Sequence, residues 1–184
     1  MSKALILIAE GFEELEAVTV IDLLRRGDVE VVVAGLVAGP LRGSRGTVIV
    51  PDLSLNDLRN APEGFDLVVL PGGQPGADTL RDDPRVIELL QAQWQAGRRV
   101  GAICAAPKVL LRAGLLGGRR FTHYPGALDD EKTADGQATG SAVEIDGPLI
   151  TSRGPGTAMD FALALLESLE GSEVRARVEN DLSR

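Results

Sequence analysis

Cys104 is the only cysteine among 184 residues, and its neighbours suit a nucleophile held on a bend. An apolar run, Val100-Gly101-Ala102-Ile103, leads into it, and Pro107 lies in the first turn of the helix expected after it. That pattern reads as strand, sharp turn, helix. Ala102 and Ala106, two residues to either side, are both small. A strained elbow needs small neighbours there, because the chain folds back on itself. Free N–H groups at the start of the next helix would then face the sulfur and lower the thiol pKa. The chemistry available to such a group is thiolate addition to an electrophilic carbon.

Three other groups could assist it. Glu13, Glu14 and Glu16 crowd the start of the first helix, where carboxylates meet the helix dipole favourably. Charge tuning suffices to explain Glu13 and Glu14. Glu16 stands beside Leu15 and two residues before Val18, a position from which it can face inward. A buried carboxyl stays protonated more readily and can donate a hydrogen bond to a thiolate. Gly72-Gly73 follows Pro71 at a strand end, and two glycines there let backbone N–H groups approach a developing oxyanion. His123 is the sole histidine and a supporting acid–base candidate. No acidic residue lies within five positions of it to orient the ring. Gly154-Pro155-Gly156-Thr157 precedes a helix and reads either as an anion-holding N-terminus or as a turn with a Thr157 cap.

The elements that must position these groups alternate. Strands are expected at Lys3–Ala9, Val29–Gly35, Asp66–Leu70 and Arg99–Ile103. Helices are expected at Glu13–Arg26, Pro84–Ala96, Pro107–Ala113, Thr157–Leu169 and Glu173–Leu182, with one helical turn at Leu55–Arg59. In the first helix Leu15, Val18, Ile21 and Leu24 are expected to line one apolar face. Val37–Val50, rich in glycine, reads as a hairpin excursion. Phe121–Asp135 is the least regular stretch. Ala142–Ile145 and Leu149–Ser152 form a hairpin across Asp146-Gly147. Consecutive valines in the strands indicate a parallel sheet covered on both faces. The pattern as a whole predicts one doubly wound α/β domain over residues 1–184. In such sheets ligands bind beyond the C-terminal strand ends, and Glu10–Glu16, Pro71–Gly73 and Cys104 all follow strands.

Bulk properties narrow the function. A chain of this length buries roughly 70% of its extended surface and needs no disulfide or metal to fold. The formal charge of −8, from 27 acidic and 19 basic residues without a basic block, argues against nucleic acid as a main partner. The opening apolar run Ala4–Ala9 is too short for a signal core or a membrane span. A cytoplasmic protein is the expectation. No ligand spacing for a metal and no Gly-rich nucleotide loop is present, and no cofactor is expected.

Taken together, Glu13-Glu14-Leu15-Glu16-Ala17-Val18, Val68-Val69-Leu70-Pro71-Gly72-Gly73, Ala102-Ile103-Cys104-Ala105-Ala106-Pro107 and Thr151-Ser152-Arg153-Gly154-Pro155-Gly156-Thr157 resemble the ThiJ/PfpI family. The similarity is to its Parkinson-disease-associated protein deglycase branch, over nearly the whole chain. The resemblance implies a flavodoxin-like three-layer sandwich related to class I glutamine amidotransferases, usually a homodimer. It implies Cys104 as reactive cysteine, Glu16 as its protonated partner, His123 as the nearby histidine, and the N–H groups of Gly73 and Ala105 as oxyanion donors. It also places Asp22, Arg26 and Arg45 near a dimer contact, where the arginines can bind anions. Family proteases and amidotransferases carry a histidine directly after the cysteine or an H-x-E pair. Ala105 stands there instead and no H-x-E occurs, which disfavours proteolysis and glutamine hydrolysis.

The expectation is therefore a cofactor-free glyoxalase or protein deglycase acting on methylglyoxal, glyoxal or their early adducts. The rival, of a different class, is an oxidative-stress sensor or chaperone-like protein without significant turnover, since an exposed thiolate oxidises readily.

Overall fold

Strand residues buried on both faces organise the molecule. The computed structural model describes residues 1–60, 64–128 and 135–184. Along the chain run β1 (Lys3–Ile8), α1 (Glu14–Arg26), β2 (Glu30–Gly35), β3 (Leu41–Arg42), β4 (Val48–Ile49), β5 (Leu53–Ser54), β6 (Leu67–Leu70), α2 (Gln74–Asp82) and α3 (Pro84–Gln95). There follow β7 (Arg99–Ile103), α4 (Pro107–Arg112), β8 (Arg120–Phe121), β9 (Gln137–Ala138), β10 (Val143–Asp146), β11 (Leu149–Ser152), α5 (Ala158–Glu170) and α6 (Ser172–Asp181).

Seven strands form one sheet in the order β10-β11-β7-β6-β1-β2-β5. All its pairings are parallel except β10 with β11, the hairpin expected across Asp146-Gly147. The two-residue repeat of the strands sends Ala4, Ile6, Ile8 and Val69 into a core with α1, α5 and α6. Leu5, Leu7, Val68 and Leu70 point oppositely, into a core with α2, α3 and α4. The result is the expected flavodoxin-like sandwich of three layers.

Two expectations about the helices need correction. Leu15 and Val18 do not face the core; they are 52% and 47% exposed. Stepping by three from Leu15 drifts around a helix of 3.6 residues per turn, and the buried stripe is Glu16, Ala17, Val20, Ile21, Leu23 and Leu24. The helix α2 went unanticipated. It carries few apolar residues, burying only Gly76, Ala77 and Leu80, although Pro75 in its first turn is a start signal. The hairpin excursion is present as β3 and β4, paired antiparallel. Part of the irregular stretch Phe121–Asp135, residues 129–134, lies outside the described residues.

The parallel strands β1, β6, β7 and β11 end at the same edge of the sheet. Leu70 pairs with Ala102, and Ser152 with Ile103. The segments after them, Pro71–Gly73, Cys104 and Arg153–Gly154, therefore emerge side by side.

Candidate active site at the sheet edge

Cys104 adopts φ 64°, one of three non-glycine residues at positive φ among those described. A side chain there is strained by contact with its own carbonyl. Neighbouring strands hold the bend in place. The Cys104 N–H donates to Ser152 O at 2.9 Å, the Tyr124 N–H donates to Cys104 O at 2.8 Å, and the Ala106 N–H donates to Ile103 O at 3.0 Å. The side chain remains partly exposed.

Glu16 arrives from α1 and is fully buried. Its Oε2 accepts the Gly72 N–H at 2.7 Å, while Oε1 is buried without a satisfied hydrogen bond. Gly72 is wedged between thiol and carboxyl. A Cβ on it would lie 2.6 Å from Cys104 Cβ and 2.8 Å from Glu16 Oε2. Gly73 turns the chain at φ 90°, and a Cβ there would lie 2.3 Å from Gly11 O. Only glycine at both positions lets the thiol and carboxyl meet.

The protonation of the pair follows from this packing. Burial pushes the Glu16 carboxyl up to about 7 against the pull of the Gly72 N–H and the Cys104 side chain. Burial and the adjacent Glu16 charge push the Cys104 thiol up to about 12 against the N–H groups of Ala105 and Gly73. This corrects the expectation that a helix N-terminus and polar neighbours depress the thiol. The N–H groups of Ala105 and Gly73 do lower it, but desolvation and the neighbouring carboxylate outweigh them. The two groups act as a unit sharing a proton. At these values the carboxyl ionises before the thiol. The Ala105 and Gly73 N–H groups both bear on the sulfur. The Gly72 N–H is committed to Glu16 and is not free for a substrate oxyanion.

The thiol opens into a cleft of about 400 Å³ whose walls include Ser44, Arg45, Gln74, Tyr124 and Pro155. Arg45 is held at its rim by Glu14. Glu14 Oε1 accepts the N–H groups of Arg45 at 2.6 Å and Thr47 at 3.2 Å, and Ser44 Oγ donates to its Oε2 at 3.1 Å. Burial acts to raise this carboxyl, but these donors outweigh it and hold it below its ordinary value. Glu14 is thus more than charge tuning: it fastens the β3–β4 hairpin to α1. Glu13 does cap the helix, accepting the Leu15 N–H at 3.3 Å.

The other expected residues divide. Asp22 and Arg26 form an exposed pair at 2.7 Å on α1, and neither is among the residues lining the Cys104 cleft. Arg45 does line it. His123 is half-buried and outside the cleft wall; its Nδ1 lies 2.8 Å from Tyr124 O, so that nitrogen carries the hydrogen. Tyr124, the next residue, supplies the wall instead. Sequence reasoning passed over Tyr124, although its place in Thr122-His123-Tyr124-Pro125 made it a neighbour of a candidate. Thr157 Oγ1 lies 2.7 Å from Ser152 Oγ and accepts the Gly154 N–H at 3.1 Å. This fixes the turn after β11 and favours the turn reading of that segment. Lys108, also unanticipated, is 4% exposed and reaches Asp78 at 2.8 Å, tying α4 to α2.

Among the described residues no three His, Cys, Asp or Glu side chains cluster as metal ligands, and no helix is long and apolar enough to cross a membrane.

Comparison with known proteins bears on the family and the fold. The family model described as DJ-1/PfpI matches residues 2–168. The Parkinson disease protein 7 homolog of Danio rerio is 42% identical over 182 residues, covering 98% of this chain and 96% of its own. The glutathione-independent glyoxalase DJR-1.2 of Caenorhabditis elegans is 40% identical over 173 residues, 94% of this chain and 90% of its own. The crystal structure of Drosophila melanogaster DJ-1beta superposes with a TM-score of 0.91 at 41% identity, covering 99% of this chain and 98% of that one. Matched in sequence and in fold over nearly its whole length, the chain belongs to the DJ-1/PfpI family.

Proposed function

We propose that this chain is a cofactor-independent glyoxalase, with deglycase action on early adducts, that uses Cys104 on methylglyoxal or glyoxal. The observation that carries the reading is the buried Glu16 carboxyl set against a partly exposed thiol that opens into a cleft. The 40% identical relative named as a glutathione-independent glyoxalase supports it. In the productive form Glu16 is protonated and Cys104 is a thiolate. The sulfur adds to the aldehyde carbon, and Glu16 gives its proton to the new oxyanion, forming a hemithioacetal. The resulting carboxylate removes the hydrogen from that carbon, and the proton returns at the neighbouring carbon through an enediol. The thioester so formed is hydrolysed by water, which releases a 2-hydroxy acid and restores the thiolate. The hydrogen moves within the substrate, so no redox partner is needed. The Gly73 and Ala105 N–H groups steady the sulfur and the adjacent oxygen. His123, outside the cleft wall with Nδ1 held by Tyr124 O, is given no step.

Lactate formation from methylglyoxal should be lost in both Cys104→Ser and Glu16→Ala. Activity persisting in the cysteine variant would defeat the mechanism. A sensing role has its own support in the partial exposure of Cys104. A stable two-oxygen adduct on Cys104 after mild peroxide, without turnover, would favour it.

The working assembly we propose is a cytoplasmic homodimer. Leu15, Val18, Val48 and Val50 are all 47% or more exposed on α1 and the adjoining hairpin, an apolar set suited to a second copy. Leu15→Asp with Val50→Asp should halve the mass in sedimentation if that face joins the copies.

A further inference from the structure

A second cleft of about 330 Å³ adjoins the first, with Tyr124 and Pro155 belonging to both. Its other walls include Pro125, Arg153 and Gly156. Tyr124 stands between the two spaces with its ring laid over Gly154, where a Cβ would sit 3.1 Å from Tyr124 Cδ2. Tyr124 is 50% exposed, so the divider is open to solvent at its outer side. Arg153 is anchored by its N–H to Ala142 O at 3.1 Å and by Nη1 to Gly140 O at 3.1 Å. Among the described residues it forms no ion pair, although the chain has 27 acidic residues against 19 basic ones. A guanidinium that spends a donor on one carbonyl and meets no carboxylate in an acid-rich chain has donors to spare for an arriving anion.

We infer that this second cleft is a specificity subsite that receives the remote carboxylate of a 2-oxoaldehyde or of its adduct, with Arg153 as the recognising group and Tyr124 as the wall against which the connecting chain lies. The inference rests on the proposed glyoxalase reading for its reaction, but the site itself is a matter of binding. Methylglyoxal would fill only the Cys104 cleft. A longer aldehyde would pass Tyr124 and be drawn by the guanidinium, as planar carboxylates pair with arginine in two parallel hydrogen bonds.

The test uses 2-oxoaldehydes of increasing chain length that end in a carboxylate, each against its uncharged alkyl counterpart. In the wild type, kcat/KM should favour the charged member by roughly threefold to tenfold at the length that reaches Arg153, the range of a partly exposed charge-assisted pair. Arg153→Ala should abolish that preference through KM while leaving methylglyoxal turnover unchanged, and Arg153→Lys should restore part of it. No preference at any length, or a preference that survives Arg153→Ala, would overturn the inference. So would an equal loss on methylglyoxal, since Arg153 would then act only by bracing Gly140. If no 2-oxoaldehyde is turned over at all, the glyoxalase reading fails by itself. The subsite is then judged by glutarate slowing iodoacetamide alkylation of Cys104. Slowing in the wild type but not in Arg153→Ala supports it, and no slowing overturns it.

Discussion

Replacing Glu16 by glutamine keeps the shape of the carboxyl and removes its titration. The amide oxygen can still accept the Gly72 N–H, and the amide nitrogen can donate toward the sulfur as the protonated acid would. Stability is where the change is read most directly. In the unfolded chain the carboxyl titrates near 4.5, and in the fold burial raises it to about 7. A raised folded pKa means the native state binds the proton more tightly. The contribution is therefore fully present below about 4.5 and is lost as pH climbs through about 7. The difference between those values corresponds to about 3 kcal/mol. Glu16→Gln should match the wild type near pH 4.5 and exceed it by up to about 3 kcal/mol above pH 8, since it never has to bury a charge. Denaturant unfolding of both proteins at several pH values measures this, and the difference between them cancels every other carboxylate. Curves that stay parallel across this range would refute the claim that Glu16 is desolvated and shares its proton with Cys104.

Alkylation of Cys104 reports the other half of the pair. If the first proton to leave comes from sulfur, the iodoacetamide rate in the wild type should rise with an inflection near pH 7, and a rate that climbs only far above that pH would mean the carboxyl ionises first. In Glu16→Gln the opposing charge is gone, so the thiol should titrate well below about 12. Gly72→Ala forces a methyl against Cys104 Cβ and Glu16 Oε2, and should destabilise by about 1–3 kcal/mol and eliminate turnover, as a melt and an assay of the same sample would show. Asp78→Asn leaves the covered Lys108 ammonium without its carboxylate and should cost about 1–3 kcal/mol, whereas adding Lys108→Met should recover most of that loss, as measured by urea unfolding.

Much of this site could be read from the chain because its signals are local. Cys104 announces its bend through Ala102, Ala106 and Pro107, and the glycines after Leu70 announce a close approach. The orientation of Glu16 was harder to read. Its neighbours Leu15 and Val18 suggested an apolar stripe, yet they lie on the exposed side, and only the sheet beneath α1 selects the face on which Glu16 sits. The helix α2 was hidden by its composition, because Asp78, Thr79, Arg81 and Asp82 leave little apolar period to detect. Glu14, Tyr124 and Lys108 owe their roles to partners far along the chain, Arg45 and Thr47 for the first, Cys104 O for the second and Asp78 for the third. No spacing rule reaches across such separations.

The φ of 64° at Cys104 bears on how this protein can change. At that backbone angle a glycine would sit without strain, whereas a cysteine is held there against its preference by roughly 1–2 kcal/mol. A variant chosen for robustness alone would thus drift toward losing its sulfur. The thiol of this chain is thus held against the conformational preference of its own backbone, and the sulfur and the bend come as one compromise.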